Sequence, residues 1–308
     1  MVEFKVKPAL YINKVNTHII PVRFEYYEPK TIKEAVELLA KYRGEAKILA
    51  GGTDLLVAMK QRVIEPKVII NIKRIRELRF IEDRGDYLAI GATTTLREIE
   101  KNPVVKEKFP ALLEAVKAMA GTQIRNMATI GGNLCNASPA ADTAPPLIVY
   151  EAKVKIIGPR GERIVPVEKF FKWVKQTIME PDELLTEIMI PYHPPNTGSA
   201  FIKIARVAMD LAKVNVAVAL RVDDRNVVEW VRIALGSVAP TPVRAPSVEK
   251  ALTGKEFKLE TVEEAAKLVV NDISPITDIR STAEYRREVS KVIVRDALIR
   301  AYNRVRGR

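Results

Sequence analysis

Two glycine pairs are the residues of this chain best suited to bind a ligand. The first pair, Gly51–Gly52, lies in the stretch AGGTDL, between a short apolar segment and a few helix-like residues. Adjacent glycines let the backbone approach a ligand closely and adopt positive φ values. Backbone N–H groups at such a turn, next to a helix N-terminus, can bind phosphate. An ordinary strand-to-helix turn capped by Thr53 or Asp54 is the structural alternative.

The second pair, Gly131–Gly132, lies well downstream in the polar stretch ATIGGNLCNASPAAD. Two such loops could bind the two halves of a pyrophosphate from opposite sides. Neither loop matches G-x-G-x-x-G or G-x-x-x-x-G-K-[ST], which disfavours a Rossmann domain and a P-loop. A structural bulge buried between domains is the alternative, although the polar composition of the loop favours a ligand.

The elements around these loops indicate an α+β chain. The stretches KILAGG, DLLVAMKQR and KVIINI predict a strand, a short helix and a strand, with the first glycine loop at the end of the first strand. Residues 122–142 fit neither period for long, and we expect an irregular loop there. The stretch YHPPNTG breaks the pattern and suggests a domain boundary. Three strands and then several helices are predicted beyond it.

Composition narrows the class of protein. A length of 308 residues with 47% hydrophobic residues suits two moderate domains. No uninterrupted apolar run reaches about 18 residues, so no membrane span is expected. The first residues also lack the order of a secretory signal. The single cysteine, Cys135, excludes an internal disulfide and an all-cysteine cluster. We expect a cytoplasmic protein, and its Lys-, Arg- and Glu-rich composition suits a thermophile.

The formal net charge of +12 raises nucleic-acid binding as a function. The basic residues are spread along the whole chain among 38 acidic ones, with no basic block interleaved with aromatics. We therefore expect no nucleic-acid partner and keep a non-catalytic nucleic-acid-binding module only as an alternative. The two histidines, His18 and His193, lie outside both glycine loops, and no group of His, Cys and carboxylates has metal-ligand spacing.

Two stretches in this order, ILAGGTDL at 48–55 and IRNMATIGGNLCNASPAAD at 124–142, resemble the FAD-binding medium subunit of molybdenum hydroxylases. This group includes the carbon monoxide dehydrogenase, xanthine dehydrogenase and aldehyde oxidoreductase families. The similarity runs from about Pro21 to the C-terminus and includes the later stretch FIKIARVAMDLAKV.

The resemblance implies a non-covalently bound FAD whose pyrophosphate lies between the two loops. The residues carried over are Ile48, Leu49, Ala50, Gly51, Gly52, Thr53, Asp54 and Leu55 from the first loop, and Thr129, Ile130, Gly131, Gly132 and Asn133 from the second. Asp142 matches an aspartate that contacts the nucleotide half of FAD, where a carboxylate accepts hydrogen bonds from ribose hydroxyls or the adenine amino group. Its structural alternative is to cap a helix beginning near Thr143.

Further positions match family residues near the flavin. Met119 and Leu185 fall where apolar side chains pack on the cofactor, although either could be plain core. Lys203 matches a lysine near the flavin, where a cation beside the N1–C2=O edge stabilises the anionic reduced form. A solvated strand lysine is its alternative. Leu211 falls where some relatives place an aromatic residue over the ring, and a leucine omits that stacking contact.

The resemblance also implies the domain organisation. Residues 1–20 extend beyond the usual family start. Residues 21–190 form a PCMH-type FAD domain with lobes at roughly 21–75 and 76–190. Residues 195–308 form a smaller domain with a three-stranded antiparallel sheet and helices.

The implied function is electron transfer, with no catalytic and no metal-ligating residue in this chain. A small partner subunit would hold two [2Fe–2S] clusters, and a large partner would hold the molybdenum cofactor and act on an aldehyde or carbon monoxide. The FAD would pass electrons to oxygen, a quinone, a ferredoxin or NAD, within a heterotrimer or a doubled heterotrimer. A stand-alone flavin oxidoreductase is the rival hypothesis, and the lack of an acid–base constellation near the expected ring speaks against it.

Overall fold

The structure, a computed structural model, describes Ile20 and residues 22–307. The expected N-terminal extension, residues 1–20, lies outside the described residues except for Ile20, and so do His18 and Pro21. The fold is α+β and contains three principal sheets. Within the described residues, no helix combines the length and the apolar character needed to cross a membrane.

The first sheet is small and parallel. Its elements are β1 (Glu25–Tyr27), α1 (Ile32–Lys41), β2 (Ala46–Leu49), α2 (Leu55–Lys60) and β3 (Val68–Asn71). The central strand is β3, which is buried along its whole length and pairs in parallel with β1 and β2. Because the strands are parallel, their carboxyl ends meet at one edge, which is where open sheets usually bind ligands. The first glycine loop leaves β2 at that edge.

The second sheet has five antiparallel strands in the spatial order β4 (Ile81–Asp83), β5 (Tyr87–Gly91), β10 (Leu184–Pro191), β6 (Lys153–Gly158) and β7 (Gly161–Pro166). Six helices lie between β5 and β6: α3 (Leu96–Lys101), α4 (Pro103–Lys108), α5 (Pro110–Lys117), α6 (Thr122–Met127), α7 (Ile130–Cys135) and α8 (Ala144–Val149). A separate two-stranded sheet, β8 (Phe171–Trp173) and β9 (Gln176–Thr177), lies between β7 and β10 in the chain. Helices α3 to α8 connect β5 to β6 and carry the second glycine loop.

Residues 122–142 differ from the expected irregular loop, because the structure forms α6 and α7 there. Each helix has only six residues, too few for an apolar repeat to become visible in the sequence. The side chain of Thr129 caps α7 by accepting a hydrogen bond from Gly132 N. The glycine pair therefore lies in the first turn of a helix.

The third sheet is antiparallel and has four strands, one more than expected. Its elements are β11 (Thr197–Ile204), β12 (Val214–Val222), β13 (Val228–Gly236), β14 (Val243–Arg244), α9 (Pro246–Leu252), α10 (Leu259–Lys267) and α11 (Ala283–Val305). The additional strand, β14, has only two residues and pairs with β13, so its sequence carries no alternation.

Both faces of this third sheet are covered. The valines of β12, such as Val216 and Val218, face α11, where they pack with Val294 and Leu298. The alanines between them, Ala217 and Ala219, belong to the core of the FAD-type half, together with α5 and α8. The small alanine side chains let α8 lie close to the sheet. This packing brings β11 and β12 next to the helices that carry the second glycine loop.

Candidate functional site

The first glycine loop connects β2 to α2 and presents unused backbone donors. The N–H groups of Gly51, Gly52 and Thr53 have no acceptor within the part of the chain that the structure describes. Gly52 has a φ of +81°, a left-handed conformation that favours glycine. The Asp54 side chain does not cap α2. The capping alternative for Asp54 is therefore not realised, and the loop keeps the donors that an anion needs.

The second glycine loop uses its backbone donors internally. Gly131 N donates to Ala92 O at 3.0 Å, Asn133 N donates to Thr129 O at 3.0 Å, and Gly132 N donates to Thr129 Oγ1 at 3.1 Å. A Cβ on Gly131 would lie 2.7 Å from the Ala92 carbonyl oxygen, so only glycine fits there. This differs from the expectation that both loops offer free N–H groups. The second loop offers side chains and close packing instead.

The two glycine loops lie side by side. A Cβ placed on Gly51 would lie 2.3 Å from the carbonyl oxygen of Met127 and 2.9 Å from Ala128 Cα. A Cβ placed on Gly132 would lie 4.0 Å from Ala50 Cβ. The absence of a side chain at Gly51 is therefore what allows the two loops to meet, whereas a Cβ at Gly132 would make only an ordinary contact with the first loop. The apolar residues Ile48, Leu49, Leu55 and Ile130 anchor the loops in the surrounding cores.

Side chains connect the second loop to Asp142. Asn133 Oδ1 accepts a hydrogen bond from Thr143 Oγ1 at 2.6 Å, and Asn133 Nδ2 lies 4.0 Å from the Met119 sulfur. Thr143 is fully buried. The structure thus brings Met119 and Asn133 together.

Asp142 and Lys203 form a buried ion pair between the two halves of the chain. Lys203 Nζ on β11 donates to Asp142 Oδ2 at 2.7 Å and to the carbonyl oxygen of Ala118 at 3.0 Å, and the two charged side chains are 6% and 4% exposed. Neither structural alternative is therefore realised. Lys203 is not solvated, and Asp142 does not cap α8, whose N-cap is Thr143. Burial raises the pKa of the Asp142 carboxyl, whereas the Lys203 ammonium opposes that rise.

This contact bears on the residue roles implied by the resemblance. Asp142 was expected at the nucleotide half of FAD and Lys203 at the flavin, yet their side chains touch. In an extended FAD, the ribitol and pyrophosphate separate those two ends. Both roles stay predictions, and the structure shows that the two side chains pair with each other. An ammonium has three N–H donors. Two are used here, and the third has no acceptor among the described residues and can donate to a ligand.

Leu185 and Leu211 lie in different environments from the residues above. Leu185 is 2% exposed on β10 and packs within the main core, and its contact with the cofactor stays a prediction. Leu211 is 49% exposed in the connection between β11 and β12. The same connection carries Met209, whose sulfur lies 3.3 Å from the position that a Gly121 Cβ would take. Leu211 therefore lies on a loop that covers the segment following Met119.

Sequence reasoning missed two buried residues that hold this site. Asn215 on β12 is fully buried and donates through Nδ2 to Asp142 Oδ1 at 2.8 Å. Arg125 on α6 is 8% exposed and donates to the carbonyl oxygens of Met119 and Ala120 at 2.9 and 2.8 Å. Its Nε also donates to Glu100 at 3.0 Å. The position of Arg125 within the motif IRNMATIGG was the one signal available, whereas Asn215 had none.

Replacing Arg125 with methionine should loosen the segment from Met119 to Gly121. The guanidinium holds two carbonyl groups in place, and methionine keeps the volume but supplies no donor. We expect FAD affinity to fall about tenfold, in line with the loss of charge-assisted hydrogen bonds. Titration of the apo chain with FAD checks this, and an exposed arginine such as Arg225 changed to methionine is the control. Equal affinity in both variants would mean that this segment does not contact the cofactor.

Together, these features fit a dinucleotide. Unused backbone donors lie in the first loop, the missing side chain of Gly51 lets the two loops meet, and the buried Lys203 retains a free donor beyond the second loop. A pyrophosphate suits the first of these features, and a polar ring edge suits the last.

Comparisons with known proteins agree with this fit. Residues 22–193 match the family described as the FAD binding domain in molybdopterin dehydrogenase, and residues 199–301 match the CO dehydrogenase flavoprotein C-terminal domain. The carbon monoxide dehydrogenase medium chain of Hydrogenophaga pseudoflava is 39% identical over 286 residues, which cover 93% of this chain and 99% of that protein. A putative xanthine dehydrogenase FAD-binding subunit of Escherichia coli is 36% identical, covering 90% of this chain and 95% of that protein.

Solved structures give the same result. The carbon monoxide dehydrogenase from Hydrogenophaga pseudoflava that lacks the Mo-pyranopterin moiety contains a chain with a TM-score of 0.90 and 39% identity to this one. The match covers 93% of this chain and 99% of that chain. In the carbon monoxide and xanthine dehydrogenase family, the iron–sulfur and molybdenum cofactors lie on partner subunits. The chain described here therefore belongs to the family of FAD-binding medium subunits of molybdenum hydroxylases, and it is an FAD-dependent oxidoreductase subunit.

Proposed function

We propose that this chain is the electron-transfer subunit of a molybdenum hydroxylase. It would hold FAD where electrons from the [2Fe–2S] clusters of a small partner subunit can reach an external acceptor. A large partner with the molybdenum cofactor would act on the substrate. The observation that carries the proposal is the length of the similarity, because this chain spans 99% of a relative whose name designates one medium chain of a larger enzyme.

The ionisable groups at the site favour electron transfer rather than chemistry on a substrate. Asp142 and Lys203 are paired with each other and almost fully buried, so neither is free to move a substrate proton. The rival hypothesis, a stand-alone flavin oxidoreductase, needs such a group within reach of its substrate. The pairing therefore favours a chain that positions a redox cofactor and leaves bond-breaking to a partner.

The residues of this chain would bind and orient the cofactor in two places. The N–H groups of Gly51, Gly52 and Thr53 would donate to the pyrophosphate, and the remaining N–H of Lys203 would donate to the polar edge of the flavin. Bound FAD supplies the ability to take up single electrons and release them in pairs. In this proposal Asp142 holds Lys203 rather than the nucleotide half.

The remaining features of the assembly complete the proposal. The expected units, residues 21–190 and 195–308, would both contribute to the FAD site, because Asp142 belongs to the first unit and Lys203 to the second. The complex would be a cytoplasmic heterotrimer or a doubled heterotrimer. Its substrate, an aldehyde or carbon monoxide, would be selected by the large partner.

Reconstitution tests this function. The purified chain with FAD should show no turnover with aldehydes, purines or carbon monoxide. Addition of both partner subunits should give substrate-dependent bleaching of the flavin absorbance, and addition of the large partner alone should not. The control is the same mixture with cluster-free small subunit. If the chain alone oxidised an organic substrate at about 1 per second or faster, the electron-transfer proposal would be wrong.

A further inference from the structure

Asn215 lies in a cross-strand row beneath the loop that carries Asp142. Lys203 on β11 pairs directly with Asn215 on β12, and Asn215 pairs directly with Gly236 on β13. Directly paired residues project on the same face of a sheet, so the three positions form one row. The neighbouring Ser237 N donates to the carbonyl oxygen of Pro139 at 2.8 Å, which fixes the loop above the row.

The Asn215 amide donates to the Asp142 loop, where it also reaches the carbonyl oxygen of Ala141 at 3.5 Å. Its Nδ2 donates to Asp142 Oδ1 at 2.8 Å, while the other carboxylate oxygen accepts from Lys203 Nζ. The Asn215 amide oxygen is buried and has no hydrogen-bond partner among the described residues. A Cβ on Gly236 would lie 2.3 Å from that oxygen, so glycine at 236 is what leaves room for the amide.

A merely structural residue at position 215 would be apolar. The flanking β12 residues from Val216 to Leu220 are all apolar and buried. An unpaired buried amide oxygen costs free energy that a leucine of similar volume would not. A reversed amide would place its oxygen against the Asp142 carboxylate, which is repulsive. The arrangement therefore leaves one acceptor unsatisfied while the amide donates at short distance to the Asp142 carboxylate and more weakly to the Ala141 carbonyl oxygen.

We propose that Asn215 is a positioning residue of the FAD site: its amide fixes the Asp142 carboxylate, which in turn holds the Lys203 amine with one N–H directed to the cofactor. This inference rests on the proposed role of Lys203 beside the flavin. Without the amide donor, the Asp142 carboxylate can rotate, and the Lys203 amine loses its fixed position. The reduced, anionic form of the flavin depends on that amine more than the oxidised form does.

The test compares the affinities of the full chain for oxidised and reduced FAD. In Asn215→Leu, affinity for reduced FAD should fall about tenfold more than affinity for oxidised FAD. That ratio corresponds to a midpoint potential about 30 mV lower for a two-electron couple. Lys203→Met should shift the potential in the same direction by more. Val216→Ala is the matched control, because it removes packing from the adjacent, opposite face of β12 and should leave the ratio unchanged.

The possible results distinguish the positioning role of Asn215 from the role of Lys203 beside the flavin. If Lys203→Met shifts the potential and Asn215→Leu does not, the inference is wrong and the function stands. If neither variant shifts the potential, Lys203 does not act on the flavin, and the proposed site assignment falls with the inference. Equal weakening of both FAD forms in Asn215→Leu would make Asn215 a mere support of the binding site. Should Asn215→Leu fail to fold, Asn215→Ser, which is smaller and cannot reach Asp142 in the same way, gives the same readout.

Discussion

Replacing Gly51 with alanine should leave the chain folded and largely without FAD. The added Cβ would lie 2.3 Å from the Met127 carbonyl oxygen and 2.9 Å from Ala128 Cα, and both are backbone atoms that cannot rotate away. The first glycine loop must therefore move away from α6. Overpacking of this kind costs about 1–3 kcal/mol, and we expect FAD affinity to fall by a similar free energy, roughly ten- to hundredfold.

Two measurements check this prediction. The flavin-to-protein absorbance ratio after purification should drop, while the circular dichroism spectrum of the apo chain should match that of the unaltered chain. Gly85→Ala is the matched control, since Gly85 also lies in a turn but an added Cβ there has no neighbour within 4 Å. Gly85→Ala strains a backbone with a φ of +84° and should retain full FAD. Unchanged FAD content in Gly51→Ala would show that contact between the loops is not needed for binding.

Replacing Lys203 with methionine should strongly destabilise the fold. The change removes one partner of a buried ion pair and leaves the Asp142 carboxylate unpaired in the interior. Such a loss typically costs about 3–5 kcal/mol. Thermal unfolding of the apo chain measures this cost without interference from the cofactor. The double variant Lys203→Met with Asp142→Asn should recover much of the lost stability, because no buried charge remains.

The cost of Lys203→Met should depend on pH in a defined direction. Burial already raises the pKa of the Asp142 carboxyl, and removal of the nearby ammonium raises it further. A folded state with a raised carboxyl pKa binds its proton more tightly than the unfolded state, in which the carboxyl has a pKa of about 3.9. The variant is therefore most stable below that pH and loses stability as the pH rises through the folded pKa. A pH-independent cost would mean that the Asp142 carboxylate finds another partner.

Local signals in the sequence determined the class of protein and the positions of the two glycine loops. A Gly-Gly pair after a strand is informative because its physical consequence is local: it depends on the φ of Gly52 and on the missing Cβ of Gly51. The strands β2, β3 and β11 to β13 were likewise predicted from short apolar stretches and turn residues that lie close together in the chain.

The short helices and the shortest strand could not be predicted from the sequence for a related reason. Helices α6 and α7 have six residues each, and β14 has two. Periodicity needs a longer window than these elements provide. Their formation depends on neighbours instead. The Thr129 cap begins α7, Leu96 N donates to the Ala128 carbonyl oxygen at 2.9 Å between the helices, and β14 adds to the edge of a sheet that already exists.

The roles of the charged residues were decided only by the tertiary structure. Asp142 and Lys203 are 61 residues apart in sequence, and Asn215 is 73 residues from Asp142. From the sequence alone, Asp142 could be a helix cap, Lys203 a solvated lysine and Asn215 an ordinary strand residue. The packing of α8 against β12 brings the Asp142 loop onto the row formed by Lys203 and Asn215. An unpaired charge is costly in that low-dielectric interior, so the charged side chains pair with one another. A local sequence pattern cannot predict these pairs, because the partners come together only when the chain folds.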